Sequence, residues 1–161
     1  MATTCSAEGA ARGREPCGFL ARWPDPAERT GGRPPRPPRA PKDAATLAEI
    51  EVDLSTAWDY ARVSSDFNPI HLSDRAARFL GLRGAIGHGM WSLARSLAQA
   101  PVPAIPRGTR IETQFLTPVQ LPGRVVIREW AEEGKSKRAL CDLRTGRVHM
   151  YAWWDAVSPQ A

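Results

Sequence analysis

The chain has 161 residues, with 22 Lys+Arg against 17 Asp+Glu, 15 Pro, 13 Gly and 3 Cys. That length holds one ordinary domain, or one domain with a tail, and an apolar share of 42% excludes wholesale disorder. No run nears the roughly 18 apolar residues of a membrane helix, the opening MATTCSAEGAARGR has no apolar signal core, and Cys5, Cys17 and Cys141 are scattered without CxxC or metal-ligand spacing. The expectation is a soluble cytoplasmic protein with neither a disulfide framework nor a metal site.

A net charge of +5 raises nucleic acid as a partner until it is divided along the chain. Residues 1–42 hold 8 Lys+Arg and 4 Asp+Glu, whereas residues 43–161 hold 14 and 13. The basicity therefore belongs to the leading segment, and no basic binding face is expected on the folded part. The same segment carries 8 of the 15 prolines, including the run GGRPPRPPRAP. Proline at that density removes backbone donors and forbids helix, so residues 1–45 are expected to be a disordered Pro/Arg-rich arm. The folded domain is placed at 46–161.

Order is expected from Thr46, where Ala48, Ile50, Val52 and Leu54 alternate with Glu49, Glu51 and Asp53 in the period of a half-buried strand. Ser55 is the expected N-cap of a short helix carrying Trp58, Tyr60 and Ala61. SSDFNP ends it, because Asn68 precedes Pro69 and is pushed out of helical geometry. Ser73 or Asp74 caps a further short helix, with Ala76, Ala77, Phe79 and Leu80 as its apolar side. After a stretch with Gly81, Gly84, Gly87 and Gly89, a longer helix starts near His88 or Gly89, carries Met90, Leu93, Ala94 and Leu97 on one face, and stops before Pro101. Strands follow at Ile111–Phe115, Val125–Trp130, Arg138–Arg144 and in RVHMYAWWDAV, with a turn at Thr145-Gly146. This order predicts an α+β fold, an antiparallel sheet around one central helix.

The densest set of reactive side chains is YARVSSDFNPIH, residues 60–71. Asp66, Asn68 and His71 stand on a turn fixed by Pro69, so an acid and an imidazole can converge where a straight strand would separate them. Such a pair can hold water, the carboxylate accepting a proton and the imidazole orienting or exchanging one. The same residues are also ordinary turn formers, and composition alone leaves that reading open. Further on, IGHGMW (residues 86–91) places Gly89 after His88 at a helix start, where backbone N–H groups and the helix dipole favour a developing oxyanion.

Together, YARVSSDFNPIHLS, IGHGMW and the later TQFLTPVQLPG resemble the MaoC-like dehydratases, a hotdog-fold family that includes (R)-specific enoyl-CoA hydratases. The resemblance covers roughly Thr46 to Asp155. It implies a single hotdog domain, Asp66 and His71 as the catalytic pair on water, Asn68 as the amide aligning them, and Gly89, next to His88, as the oxyanion donor on the substrate-binding side. Two positions depart from the pattern: Ser65 stands where Gly is usual, and Gly87 where Ala is usual. The implied activity is addition or removal of water across C2–C3 of an acyl-CoA or acyl-carrier-protein thioester, without metal or redox cofactor.

A lone hotdog domain leaves its acyl tunnel unfinished, and residues 1–45 are too short and proline-rich for a second repeat. A homodimer, or a heterodimer with another hotdog subunit, is therefore expected, with neither nucleic acid nor membrane as a partner. The alternatives are a non-catalytic acyl-binding hotdog subunit that pairs with a second hotdog protein, and nucleic-acid binding through the arm. Cys141 reads as core, and His149 lies in a strand pattern with no evident partner.

Overall fold

The computed structural model describes residues 3–5, 39–99, 105 and 109–155. Strands β1 (Thr3–Cys5), β2 (Ala45–Val52), β3 (Ile111–Phe115), β4 (Gly123–Glu132), β5 (Lys135–Asp142) and β6 (Val148–Asp155) form one sheet in the order β1-β3-β6-β5-β4-β2. Every pairing is antiparallel. Between β2 and β3 run helices α1 (Leu54–Ser64), α2 (Pro69–Leu72), α3 (Asp74–Phe79) and α4 (Gly89–Leu97). No helix of the described residues is long and apolar enough to cross a membrane.

Period-2 alternation sorts the strand residues onto two faces. Val125, Ile127, Leu140, Met150 and Ala152 turn inward with Val52 and Leu93, so the sheet closes over α4. Val126, Ala139, Cys141 and Tyr151 pack on the opposite face, where Trp130 meets Tyr151 edge-on at 5.4 Å. Burial pushes the Cys141 thiol up to about 11, so it stays protonated and inert, as a core residue should.

Of the expected arm, residues 1–2 and 6–38 lie outside the described residues, as does Pro101. Thr3–Cys5 pairs with β3, and Ala44, just ahead of β2, is buried with its carbonyl accepting from Arg128 (3.2 Å).

Three local expectations are corrected. Asp53, not Ser55, caps α1: its extended backbone lets Oδ1 accept the Thr56 N–H at 3.0 Å and close a capping box, while Ser55 donates to the same oxygen. In α3 only Ala77 is buried, and Phe79 and Leu80 are 90% and 60% exposed. Phe79 lies about 200° round the helix from Ala77, so the two cannot share a face. On α4 the buried face carries Ser92, Leu93 and Ser96, whereas Met90 and Ala94 are exposed.

Candidate active site

The site assembles where α2 meets the loop leading into α4. Asn68 caps α2, its Oδ1 accepting the Ile70 N–H at 3.3 Å, and Pro69 fills the first turn. The Ile86 N–H donates to the Ile70 carbonyl (3.1 Å), the Gly87 N–H to the Val119 carbonyl (2.8 Å) and the Leu121 N–H to the Ala85 carbonyl (2.9 Å). The Ala85 N–H donates to Asp74 Oδ1 at 2.8 Å. These bonds stitch residues 85–87 between α2–α3 and the 119–121 segment, which fixes the start of α4 relative to His71.

His71 Nδ1 lies 2.7 Å from the Ile86 carbonyl oxygen. A carbonyl only accepts, so Nδ1 carries the hydrogen and Nε2 presents its lone pair. Burial lowers the His71 pKa from 6.5; the Ile86 bond raises it, His88 lowers it and Asp66 raises it. The net direction keeps the imidazole neutral. Asp66 Oδ2 stands 4.0 Å from Nε2, while Asp66 Oδ1 accepts the backbone N–H of Asn68 at 3.2 Å. Asn68 thus aligns the pair with its main chain on the carboxylate and its side chain on the histidine's helix. The side-chain amide does not touch Asp66 directly, which sequence reasoning had not distinguished.

His88 is 2% exposed and donates from Nε2 to the Asp66 carbonyl (3.0 Å). Its ring stacks under His71 at 3.9 Å and lies 5.0 Å from Tyr60, and its buried Nδ1 has no hydrogen-bond partner. It braces the pair from behind rather than lining the cavity in front.

That cavity, about 250 Å³, is walled by His71, Gly87, Gly89, Phe115, Thr117 and His149, among others. Asp66 and Asn68 are exposed and do not line this cavity, which His71 does. Gly89 opens α4, where an amide N–H has no intrahelical acceptor. A Cβ at Gly89 would come within 3.3 Å of the Phe115 ring, a tight contact that glycine avoids at this approach to β3. Sequence reasoning missed His149 as a cavity residue, because the β-bulge that turns it there is not visible in one strand's pattern. Asp66, His71 and His88 also place donor atoms within 4.8 Å of one another, the one group among the described residues that could share a cation.

Residues 33–151 match the family model of the MaoC-like domain. The chain belongs to the MaoC-like domain family. It is 29% identical over 123 residues to 3-hydroxyacyl-thioester dehydratase X of Mycobacterium tuberculosis, which covers 76% of this chain and 44% of that protein. The crystal structure of HtdX from that organism superposes with a TM-score of 0.63 at 28% identity, covering 70% of this chain and 48% of the other. The unliganded R-hydratase PhaJ1 of Pseudomonas aeruginosa shares the fold, with a TM-score of 0.55 at 21% identity over 73% of this chain and 82% of that one. The chain spans about half the length of the first of these relatives. Its fold is the MaoC-like hotdog, with α4 as the enclosed helix.

Ser65, one of the two departures from the MaoC-like pattern, takes a left-handed conformation (φ 61, ψ 18) at the end of α1. A non-glycine residue there costs on the order of 1 kcal/mol. Ser65→Gly is therefore expected to raise stability by about 1 kcal/mol, read as a higher urea midpoint at unchanged slope. An unchanged midpoint would show that the strain is relieved elsewhere. Gly87 has no positive φ, and a Cβ would meet Val119 at an ordinary 3.5 Å, so this departure is structurally neutral.

Proposed function

We propose that the chain is an (R)-specific 2-enoyl thioester hydratase and 3-hydroxyacyl thioester dehydratase. The observation that carries this reading is the 4.0 Å gap between Asp66 Oδ2 and a lone pair on His71 Nε2, beside the cavity that holds the Gly89 amide. A water about 2.8 Å from each group bridges that gap. Both groups are acceptors, so the water commits its two O–H bonds to them and turns its oxygen lone pairs outward, toward C3 of a bound enoyl thioester. Asp66 takes one proton as the oxygen adds to C3. Charge builds on the thioester oxygen, where the Gly89 N–H and the start of α4 stabilise it, and the proton returns to C2 from the same cluster. The reverse sequence removes water from a 3-hydroxyacyl thioester. The test is the loss of enoyl-thioester absorbance on adding protein, followed by chiral analysis of the product. A protein that binds the thioester without turnover is instead the non-catalytic subunit.

Because Nε2 must be unprotonated to accept, kcat/KM is expected to fall on an acid limb whose midpoint lies below 6.5, since burial lowers the His71 transition from that value. Stability follows the same sign: below 6.5 the unfolded chain binds the proton that folded His71 resists, so folding weakens as pH falls through that window. An acid limb centred above 6.5 would contradict the neutral-histidine assignment.

The protein works as a homodimer or with a second hotdog subunit. Phe67, Met90 and Phe115, which flank Asp66, Gly89 and the cavity, are 53%, 49% and 41% exposed, an apolar rim suited to burial by another chain. Light scattering is expected to give twice the mass of the chain, and an active monomer would overturn this.

A further inference from the structure

A second cavity, about 280 Å³, lies behind the catalytic one. Pro118, Val119 and His149 line both cavities and so form the wall between them. The second is lined by Arg83, Arg124, Arg144 and Arg147, with Asp142 as its acid. Arg83 comes from the loop before IGHGMW, Arg124 from β4, and Arg144 and Arg147 from the β5–β6 turn. Residues 43–161 carry nearly balanced charge, with 14 Lys+Arg and 13 Asp+Glu, so four guanidinium groups around one concavity are a local concentration rather than a reflection of composition.

Little in the protein neutralises them. Asp142 Oδ1 is engaged by the Thr145 N–H (2.6 Å) and hydroxyl (2.7 Å). Arg124 approaches Glu51 at 3.5 Å and Glu49 at 3.9 Å. Among the described residues Arg83, Arg144 and Arg147 form no ion pair. Exposed like charges held together favour an anion, and guanidinium groups match phosphate oxygens bidentately.

The dividing wall has its own geometry. Leu140 pairs with Met150 and Cys141 with Val148, so His149 is the extra residue of a β-bulge. Its Nδ1 lies 3.2 Å from Thr117 Oγ1 and 3.2 Å from the Thr117 carbonyl. Thr117 Oγ1 gives its hydrogen to the Val148 carbonyl (2.9 Å), so Nδ1–H of His149 donates and Nε2 is left available. The bulge thus aims an imidazole at the junction of a basic cavity and one containing an oxyanion donor.

We propose that the basic cavity holds the phosphates of a coenzyme A thioester whose acyl group lies in the catalytic cavity. This rests on the hydratase reading and assigns the carrier. Four guanidinium groups match the diphosphate and monophosphate of coenzyme A, where the arm of a carrier protein offers a lone phosphodiester.

The test compares the full-length protein with the variant Arg83→Gln, Arg144→Gln, Arg147→Gln, and with a control, Arg62→Gln, Arg75→Gln, Arg95→Gln, that removes as many exposed arginines elsewhere. All the replaced side chains are exposed, and circular dichroism melts check that the folds match. For crotonyl-CoA the cavity variant is expected to raise KM roughly tenfold or more with kcat nearly unchanged. Its KM for crotonyl-N-acetylcysteamine, which has no phosphate, should stay at the wild-type value, and the control should match wild type on both. Adenosine 3′,5′-bisphosphate should bind wild type in calorimetry and fail to bind the cavity variant. Equal KM values for crotonyl-CoA in all three proteins overturn the proposal. So does a defect seen only with crotonyl-carrier protein, which would name a phosphodiester carrier instead. If wild type hydrates neither small thioester, the hydratase reading fails, and the bisphosphate titration still decides the cavity.

Discussion

Asp66→Asn is expected to lower the hydration rate of crotonyl-CoA by roughly 10²–10³-fold, the usual cost of losing one acid/base group. The substitution is nearly isosteric and keeps an oxygen at the position where Oδ1 accepts the Asn68 N–H. Asp66 is exposed, so nothing in the core depends on its charge, and the melting curve should superimpose on wild type. What changes is Oδ2, which faces His71 Nε2 across 4.0 Å. An amide nitrogen there donates instead of accepting, so it competes for the Nε2 lone pair and has nothing with which to receive a proton from water. The loss should therefore appear in kcat, with KM little altered. Wild-type turnover in Asp66→Asn would remove the carboxylate from the reaction and overturn its assignment as the base.

Much of this arrangement was legible because it is local. The alternation of β2 and the period change after Pro101 come straight from the pleat, and β2 to β6 overlap the expected strands, whereas β1 falls in the segment expected to be an arm. The acid, amide and imidazole sit within six residues of sequence around Pro69, so their convergence follows from one turn. What sequence could not give are the long-range partners. That Nδ1 of His71 carries the hydrogen depends on the Ile86 carbonyl, 15 residues away, and the basic cavity gathers arginines from three separate elements. His149 reads as an ordinary strand residue because a bulge is a property of pairing, not of either strand alone.

The misreading of α4 has a definite cause. Hydrophobicity picks Met90, Leu93, Ala94 and Leu97 as the inner stripe, yet Ser92 and Ser96 are the buried neighbours of Leu93. Their hydroxyls return to the helix itself, Ser92 to the His88 carbonyl (3.4 Å) and Ser96 to the Ser92 carbonyl (2.7 Å). Satisfied within their own helix, these small side chains bring α4 close to the sheet without an unpaired polar atom. Met90 is freed to face outward beside the site.

That close approach rests on Arg138, and Arg138→Ala is expected to cost about 3–5 kcal/mol of a total that is typically about 5–15. In β5, Arg138 is in phase with Leu140, so an arginine points into the core and is 1% exposed. Its Nη1 donates to the Ser96 carbonyl (2.6 Å) and more weakly to the Leu97 carbonyl (3.4 Å), at the C-terminal end of α4 where intrahelical donors run out. Its Nε and Nη2 both reach Glu129 Oε2, at 2.6 and 2.5 Å, and its guanidinium lies 5.1 Å from the centre of the Trp154 ring. One cation thus ties the negative end of the helix to two strands and offsets the dipole there. Alanine leaves the Ser96 carbonyl only the longer bond from the Gln99 N–H (3.3 Å), removes the Leu97 contact and takes the counter-ion from Glu129. Lysine keeps the charge but cannot serve the helix and Glu129 together, so Arg138→Lys should fall between alanine and wild type. Urea midpoints rank the three proteins. In the lysine variant, which stays folded, α4 is held less tightly at its far end. In the proposed mechanism its first amide, Gly89 N–H, then holds the thioester oxygen less firmly, and kcat should drop more than KM rises. A loss below about 1 kcal/mol for alanine, with kcat intact in lysine, would show that the sheet positions α4 without this anchor.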